Sequence, residues 1–198
     1  MSGTPPYVEL HCHSAYSFLD GASLPEELAL RAAELGHVAL ALTDHNSVSG
    51  SMELAQVAAN AGVRAIHGAE IDLDLSSGDA TDGAARARMR GTASGDSAHA
   101  HLTLLVADSV GWRNLCRILT RAHAHTRDGA RHERGRPSID LPTLLEHSRG
   151  LVCLTGCAEH GIRDEPTARR LLDAFGPRRL KVELQRPYAR GDRARNRA

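Results

Sequence analysis

Within the first 75 residues, short apolar runs alternate with amphipathic stretches that end in glycine, a pattern that few architectures accommodate. Tyr7 to His11 reads as a short strand. A polar loop through Asp20-Gly21 leads to Ser23, the expected N-cap of a helix with Pro25 in its first turn, Leu28, Ala32 and Leu35 along one side and Gly36 as terminator. Val38 to Thr43 is a nearly unbroken apolar run, as expected of a strand buried on both faces. A second helix is predicted from Ser51 to Asn60, closed by Ala61-Gly62, and a third strand from Arg64 to Leu75. Strand, helix, strand, helix, strand at this spacing predicts an α/β fold with parallel strands.

Residues 76–98 are rich in Gly, Ala, Ser and Asp without an apolar period, and read as a flexible insertion. Beyond them the pattern predicts a strand from His101 to Ala107, a helix from Val110 to Thr126 and a short helix over Leu141–His147. A buried strand is expected at Leu151–Thr155, a helix at Glu165–Phe175 and a strand at Leu180–Leu184. The Arg-rich end, residues 187–198, reads as a chain cut before its next helix and strand, leaving one domain over residues 1–186. Hydrophobic residues make up 41% of the chain but aromatics only 3%, so the core must be built from Leu, Ala, Val and Ile.

A chain of 198 residues has room for one domain, which excludes a complete polymerase or synthetase. Its zero formal net charge hides a split: net −8 over residues 1–75 and +8 over residues 76–198. The acidic, His-bearing half suits cations and the basic half suits phosphate, although all basic residues but Lys181 are Arg, a bias that genome composition also produces. With no apolar run long enough to span a membrane and no signal-peptide pattern, a cytoplasmic protein with no membrane partner is expected. Cys12, Cys116, Cys153 and Cys157 are irregularly spaced and read as reduced thiols.

The chemistry gathers at predicted strand ends. His11 and His13 flank Cys12, and residues two apart on extended chain project to one side, so both imidazoles can meet one cation. Asp20 follows in the same loop, Asp44-His45 closes the second strand, and Glu70 lies in the third. Ligands collect at the carboxyl ends of parallel strands, so these clusters can converge on one pocket. His101 opens its strand instead of ending one. It reaches Glu70 only if the third strand and its own form a hairpin around the insertion. Cys157 ends its strand and offers a soft ligand, whereas Cys153 reads as core. His37 and His67 read as surface or satisfied core residues, and His123, His125, His132 and His147 as solvated ones. Several His, an Asp, a Glu and a Cys exceed the four positions of one structural zinc, so two or three clustered ions fit better. Such clusters bind phosphate oxygens and activate water near neutral pH, the chemistry of phosphoester hydrolysis. Glu70 can bridge two cations, and Asp44 is placed to orient a ligand imidazole from behind.

Three of these segments, His11-Cys12-His13, Thr43-Asp44-His45 and Gly68-Ala69-Glu70, resemble the first motifs of the polymerase and histidinol phosphatase (PHP) superfamily. The stretch from Tyr7 to Ala22 is similar to the start of bacterial DNA polymerase III alpha subunits, and Gly111-Trp112-Arg113-Asn114-Leu115-Cys116 resembles the error-prone branch. Leu151 to Cys157 and Val182-Glu183-Leu184-Gln185-Arg186 continue the likeness. The resemblance implies a distorted seven-stranded (β/α) barrel, incomplete at its C-terminal end. A cluster of two or three zinc or manganese ions, or magnesium, would be held by His11, His13, Asp20, His45, Glu70, His101 and Cys157. The family pattern adds an Asp-x-His on a later strand, which does not occur between Cys157 and Ala198. Implied partners are DNA, the remaining polymerase domains and other replication or translesion subunits. The implied activity is a metal-dependent phosphoesterase of the 3′–5′ exonuclease kind. A non-catalytic scaffold module and a stand-alone phosphatase of a small phosphate ester are the alternatives.

Overall fold

The structure is a computed structural model that describes residues 7–75, 99–127, 135–157 and 160–185. The insertion predicted at 76–98, the tail at 187–198 and His132 lie outside the described residues. The element order is β1 (Val8–Glu9), α1 (Pro25–Glu34), β2 (Ala39–Leu42), α2 (Ser51–Ala61), β3 (Arg64–Asp74), β4 (His99–Val106) and α3 (Ser109–Ala122). A 3-10 turn (Ala124–Arg127), β5 (Ile139–Asp140), α4 (Leu141–Glu146), β6 (Leu151–Leu154), α5 (Glu165–Phe175) and β7 (Leu180–Lys181) follow.

Local chemistry explains most of these boundaries. Helix α1 begins at Pro25, whose fixed φ suits a first turn, and Glu26 and Glu27 lie where the helix dipole favours negative charge. Its N-cap is Leu24, not the predicted Ser23: the Glu27 carboxylate reaches back to accept from the Leu24 N–H at 2.8 Å, so no hydroxyl is needed. Helix α2 buries Ser51, Leu54 and Ala58 at helical spacing and stops at Gly62 with φ 71°, where a Cβ would be strained. Asp108 caps α3 by accepting from the Val110 and Gly111 N–H groups, and Asp164 caps α5 through the Thr167 N–H.

Strands β1, β2 and β3 are parallel neighbours, as predicted, with β2 buried at every position. The sheet then departs from a simple parallel series, because β3 and β4 pair antiparallel from Gly68↔Leu105 to Asp74↔His99. Strand β4 is also antiparallel to β6, which pairs parallel with β7. The two-residue β5, unmarked by any apolar run, adds to β3. Strands β1, β2, β6 and β7 are shorter than predicted, β3 ends one residue early at Asp74, and β4 runs from His99 to Val106, beginning two residues before the predicted His101 and ending one before Ala107. The helix expected to reach Thr126 ends at Ala122 and tightens into the 3-10 turn.

Leu102, Leu104, Leu115, Ile118, Leu151 and Leu171 lie in one core between the sheet and α3, α4 and α5. A second packs α1 and α2 on β2 through Ala29, Ala32, Leu42, Leu54 and Ala58. Branched aliphatics and alanine make up most of both, with Cys153 and Phe175 in the first, as the scarcity of aromatics required. Among the described residues the sheet runs β1-β2-β3-β4-β6-β7 without backbone pairing between β1 and β7. It curls nonetheless, since His11, just past β1, touches Glu183, just past β7, at 2.6 Å. The result is an open half-barrel in the manner of an incomplete (β/α) barrel. No helix among the described residues is long and apolar enough to cross a membrane.

Candidate metal centre

Glu70 is the centre of the site. In β3 it alternates with Asp72 on one side of the strand, and its side chain is only 7% exposed. One oxygen, Oε2, lies 2.7 Å from His11 Nε2 and 3.6 Å from His13 Nε2. The other, Oε1, lies 3.0 Å from His45 Nδ1 and 2.8 Å from His101 Nδ1. One carboxylate thus divides four imidazoles between its two oxygens.

Four stretches of chain bring these groups together. His11 and His13 follow β1, and their Nε2 atoms face each other at 3.1 Å. The segment after β2 runs beside β3, with the Glu70 N–H donating to the Thr43 and Asp44 carbonyls and an isolated bridge pairing His45 with Glu70. His101 arrives through the antiparallel β3–β4 pairing, which sets it opposite Asp72. The condition attached to His101 in the sequence is therefore met.

Asp20 lies in the loop between β1 and α1, where its Oδ2 reaches His13 Nδ1 at 2.5 Å and His45 Nε2 at 3.0 Å. The loop is tightly wound. Leu19 sits at φ 70°, an unfavourable region for a branched chain, and a Cβ at Gly21 would lie 1.9 Å from the Ser14 carbonyl oxygen. Asp44 holds this loop, and among the described residues its carboxylate bonds to serines and to no imidazole, reaching the His45 backbone through Ser17. Its carboxylate accepts from Ser14 N–H (2.7 Å), Ser14 Oγ (2.8 Å) and Ser17 Oγ (2.6 Å), and Ser17 Oγ in turn accepts from the His45 N–H. Asp44→Ala would leave these buried donors unpaired at about 1–3 kcal/mol each. The expected result is a folded but destabilised protein, read by urea denaturation, whose β1–α1 loop becomes protease-sensitive.

Cys157 stands apart from this convergence. It joins neither of the ligand groups found among the described residues, His11–His13–Glu70 and His13–Asp20–His45, and its Sγ accepts from the His160 N–H at 3.3 Å. It is nonetheless close by, because the chain at Gly156 packs onto the His101 carbonyl, where a Cβ would lie 2.1 Å from that oxygen. His147, expected to be solvated, is buried at the end of α4. His123 ties α3 to the site by a 2.9 Å contact with the Asn46 carbonyl.

Several residues of the site were not singled out in the sequence. Asp72 is buried, takes His101 Nε2 at 2.9 Å and Arg136 Nε at 2.8 Å, and accepts from the Asn46 amide at 3.0 Å. Glu183 takes His11 Nδ1. Alternation along β3 marks Asp72 as sharing the side of Glu70, but nothing local marks Glu183 or Arg136. Beside the cluster lies a cleft of about 640 Å³ bordered by Tyr16, Phe18, His45, Asp72 and Arg136. Phe18 is 86% exposed at its edge, in a chain otherwise poor in aromatics.

The electrostatics follow from these contacts. Burial pulls the His11 pKa down, but hydrogen bonds to Glu183 and Glu70 outweigh it and raise the value to about 10. Bonds to Asp72 and Glu70 raise His101 to about 10 as well, against its burial, and Glu70 raises His45. Burial opposes ionisation of Glu70, yet its surrounding imidazoles hold its pKa far below the usual carboxylate range. Asp20 and Asp72 are lowered too, Asp20 chiefly by His13, Asp72 by His101 and Arg136 against its burial.

Two imidazole nitrogens aimed at each other beside a buried carboxylate form a donor set with more lone pairs than protons to fill them once the rings are neutral. That set fits divalent cations, and it is richer than a single four-coordinate site requires.

The chain has recognisable relatives. A model of the PHP domain matches residues 9–187. The chain is 41% identical over 189 residues to the error-prone DNA polymerase of Mycobacterium tuberculosis, covering 90% of this chain and 16% of that protein. It is 40% identical over 204 residues to the error-prone DNA polymerase of Mycolicibacterium paratuberculosis, covering 98% and 17%. The chain thus spans about a sixth of the length of the curated relatives it matches. Among solved structures, a Bifidobacterium adolescentis protein described as a metal-dependent phosphoesterase superposes with a TM-score of 0.62 at 14% identity, over 98% of this chain and 82% of its own. An amidohydrolase from Chromobacterium violaceum gives 0.56 at 16%, over 88% and 75%. At these identities the likeness to the solved structures is one of fold. Taken with the family match along most of its length, the seven-stranded open barrel and the His–carboxylate cluster at its strand ends mean that this chain belongs to the PHP domain family.

Proposed function

We propose that this PHP domain is a metal-dependent phosphoesterase module of an error-prone-type DNA polymerase, acting on phosphodiesters at a DNA 3′ end. The observation that carries this reading is the division of Glu70 between two pairs of imidazoles, which supports two cation positions side by side. The proposed ligands are His11, His13, Asp20, His45, Glu70 and His101, with Cys157 as a further thiolate from the loop packed on His101. Imidazole, carboxylate and thiolate together suit zinc, and the carboxylate share also admits manganese or magnesium. Bound there, the ions supply Lewis acidity toward phosphoryl oxygen and an activated water.

The chain's own residues do the rest. Glu70 fixes the spacing of the two halves of the site, Asp20 holds the His13 and His45 rings, and Arg136 places positive charge on the cleft where a phosphate would enter. DNA and the other polymerase domains are the proposed partners, along with further replication or translesion subunits.

The test is release of the terminal nucleotide from a 3′-labelled single strand by chelator-stripped protein with zinc or manganese restored. Metal-dependent release, at least 100-fold lower in the His11→Ala/His13→Ala variant, is the expected result. A second reading, a metal-stabilised scaffold, is favoured by the His11–Glu183 contact, which joins the two ends of the sheet. Protein that binds metal and gains stability from it, but releases no nucleotide, would establish the scaffold and end the nuclease reading.

A further inference from the structure

We propose that Glu183 is a positioning residue that orients His11 for metal binding, holding Nδ1 so that Nε2 is presented to the other donors; the inference rests on the metal-site reading above. An imidazole has two nitrogens, and as a ligand it must offer one bare while the other keeps the proton. In His11 the two are divided between separate partners. Nδ1 lies 2.6 Å from Glu183 Oε1, while Nε2 lies 2.7 Å from Glu70 Oε2 and 3.1 Å from His13 Nε2. A carboxylate behind Nδ1 keeps the proton there, fixes the ring plane and makes Nε2 the better ligand.

The other neighbours of Nδ1 do not replace it. Thr103 Oγ1 and Gln185 Nε2 are both 3.2 Å away, and neither carries a charge. Glu183 is itself held in place. Its backbone N–H donates to Thr155 Oγ1 at 3.2 Å, and Gln185 Nε2 donates to its Oε1 at 2.7 Å. Its side chain is only 8% exposed, and Oε2 is buried with no hydrogen-bond partner among the described residues. Burying a carboxylate with one oxygen unpaired is costly, so its placement here needs a compensating role. Glu183 also stands past β7 whereas His11 follows β1, so the ring is oriented only when the sheet has curled to bring its ends together.

Zinc would be titrated into chelator-stripped wild type and Glu183→Gln, with far-UV circular dichroism as the fold control. The amide is nearly isosteric but uncharged, and can turn its NH₂ toward Nδ1 to favour the wrong tautomer. The tightest zinc site is expected to weaken about 10–100-fold. A folded variant with wild-type affinity overturns the inference and leaves the metal-site reading intact. Wild type that takes up no zinc sinks that reading and this inference with it. Nitrogen-15 spectra of the zinc-loaded wild type decide the matter even if the variant does not fold. His11, assigned through bonds, should carry a protected proton on Nδ1, and a proton on Nε2 instead overturns the assignment.

Discussion

Glu70→Gln is expected to leave chelator-stripped and reloaded protein with less than a tenth of the wild-type metal, measured by elemental mass spectrometry. The substitution keeps the shape of the side chain, so the loss would be one of charge. Among the described residues Glu70 alone contacts four imidazoles, and it is buried. Without its charge the anion left to join the two halves of the site is Asp20, which lies at the more exposed edge and contacts one imidazole of each half. The metal-free protein should suffer as well. Where the imidazoles are protonated, the change removes one partner of a buried charge cluster, a class of change that costs about 3–5 kcal/mol. Urea denaturation of the metal-free variant near pH 6 should show that drop. Metal content and stability both equal to wild type would remove Glu70 from the centre of the site.

The second large effect is an opposite response of metal-free and metal-loaded protein to pH. His11 and His101 are raised in the folded metal-free protein from 6.5 to about 10. Groups raised on folding contribute stability that is full below their unfolded value and is lost as pH rises through the folded one. Glu70, lowered on folding, contributes stability above its ordinary value near 4.5 that is lost as pH falls through its folded one. Metal-free protein should therefore be most stable between about pH 4.5 and 6.5 and should weaken steadily toward pH 10. Metal binding runs the other way, because imidazolium must give up its proton to become a ligand, so affinity rises with pH. Melting temperatures with zinc and with chelator, from pH 5.5 to 9, should diverge as pH rises, and zinc addition at pH 7 should release protons. Curves that stay parallel would mean that metal does not displace protons from these imidazoles.

Much of the site was legible before the fold. His-x-His after a strand, Asp-His closing the next and Glu in a third are local patterns, and strand ends are where α/β folds collect ligands. The structure brings His11, His13, Asp20, His45, Glu70 and His101 together. It leaves Cys157 one loop away and turns Asp44 to the serines of the β1–α1 loop. The orientation of Asp44 has a simple cause. Adjacent residues at a strand end point to opposite sides, so the neighbour of a ligand is aimed away from it.

By itself the sequence determined the order of strands and helices apart from the two-residue β5, the aliphatic core and most of the residues at the metal-facing strand ends. Periodicity, caps and turn residues act over a few positions, and the chain states them directly. Only the tertiary structure decided that β4 runs antiparallel, that Asp72 and Arg136 support His101, and that Glu183 stands behind His11 from 172 positions away. Those contacts depend on strand register and on how far the sheet curls. Both are properties of the packed whole, because a charge finds its partner across a sheet only after the hydrophobic core has set the distance between them.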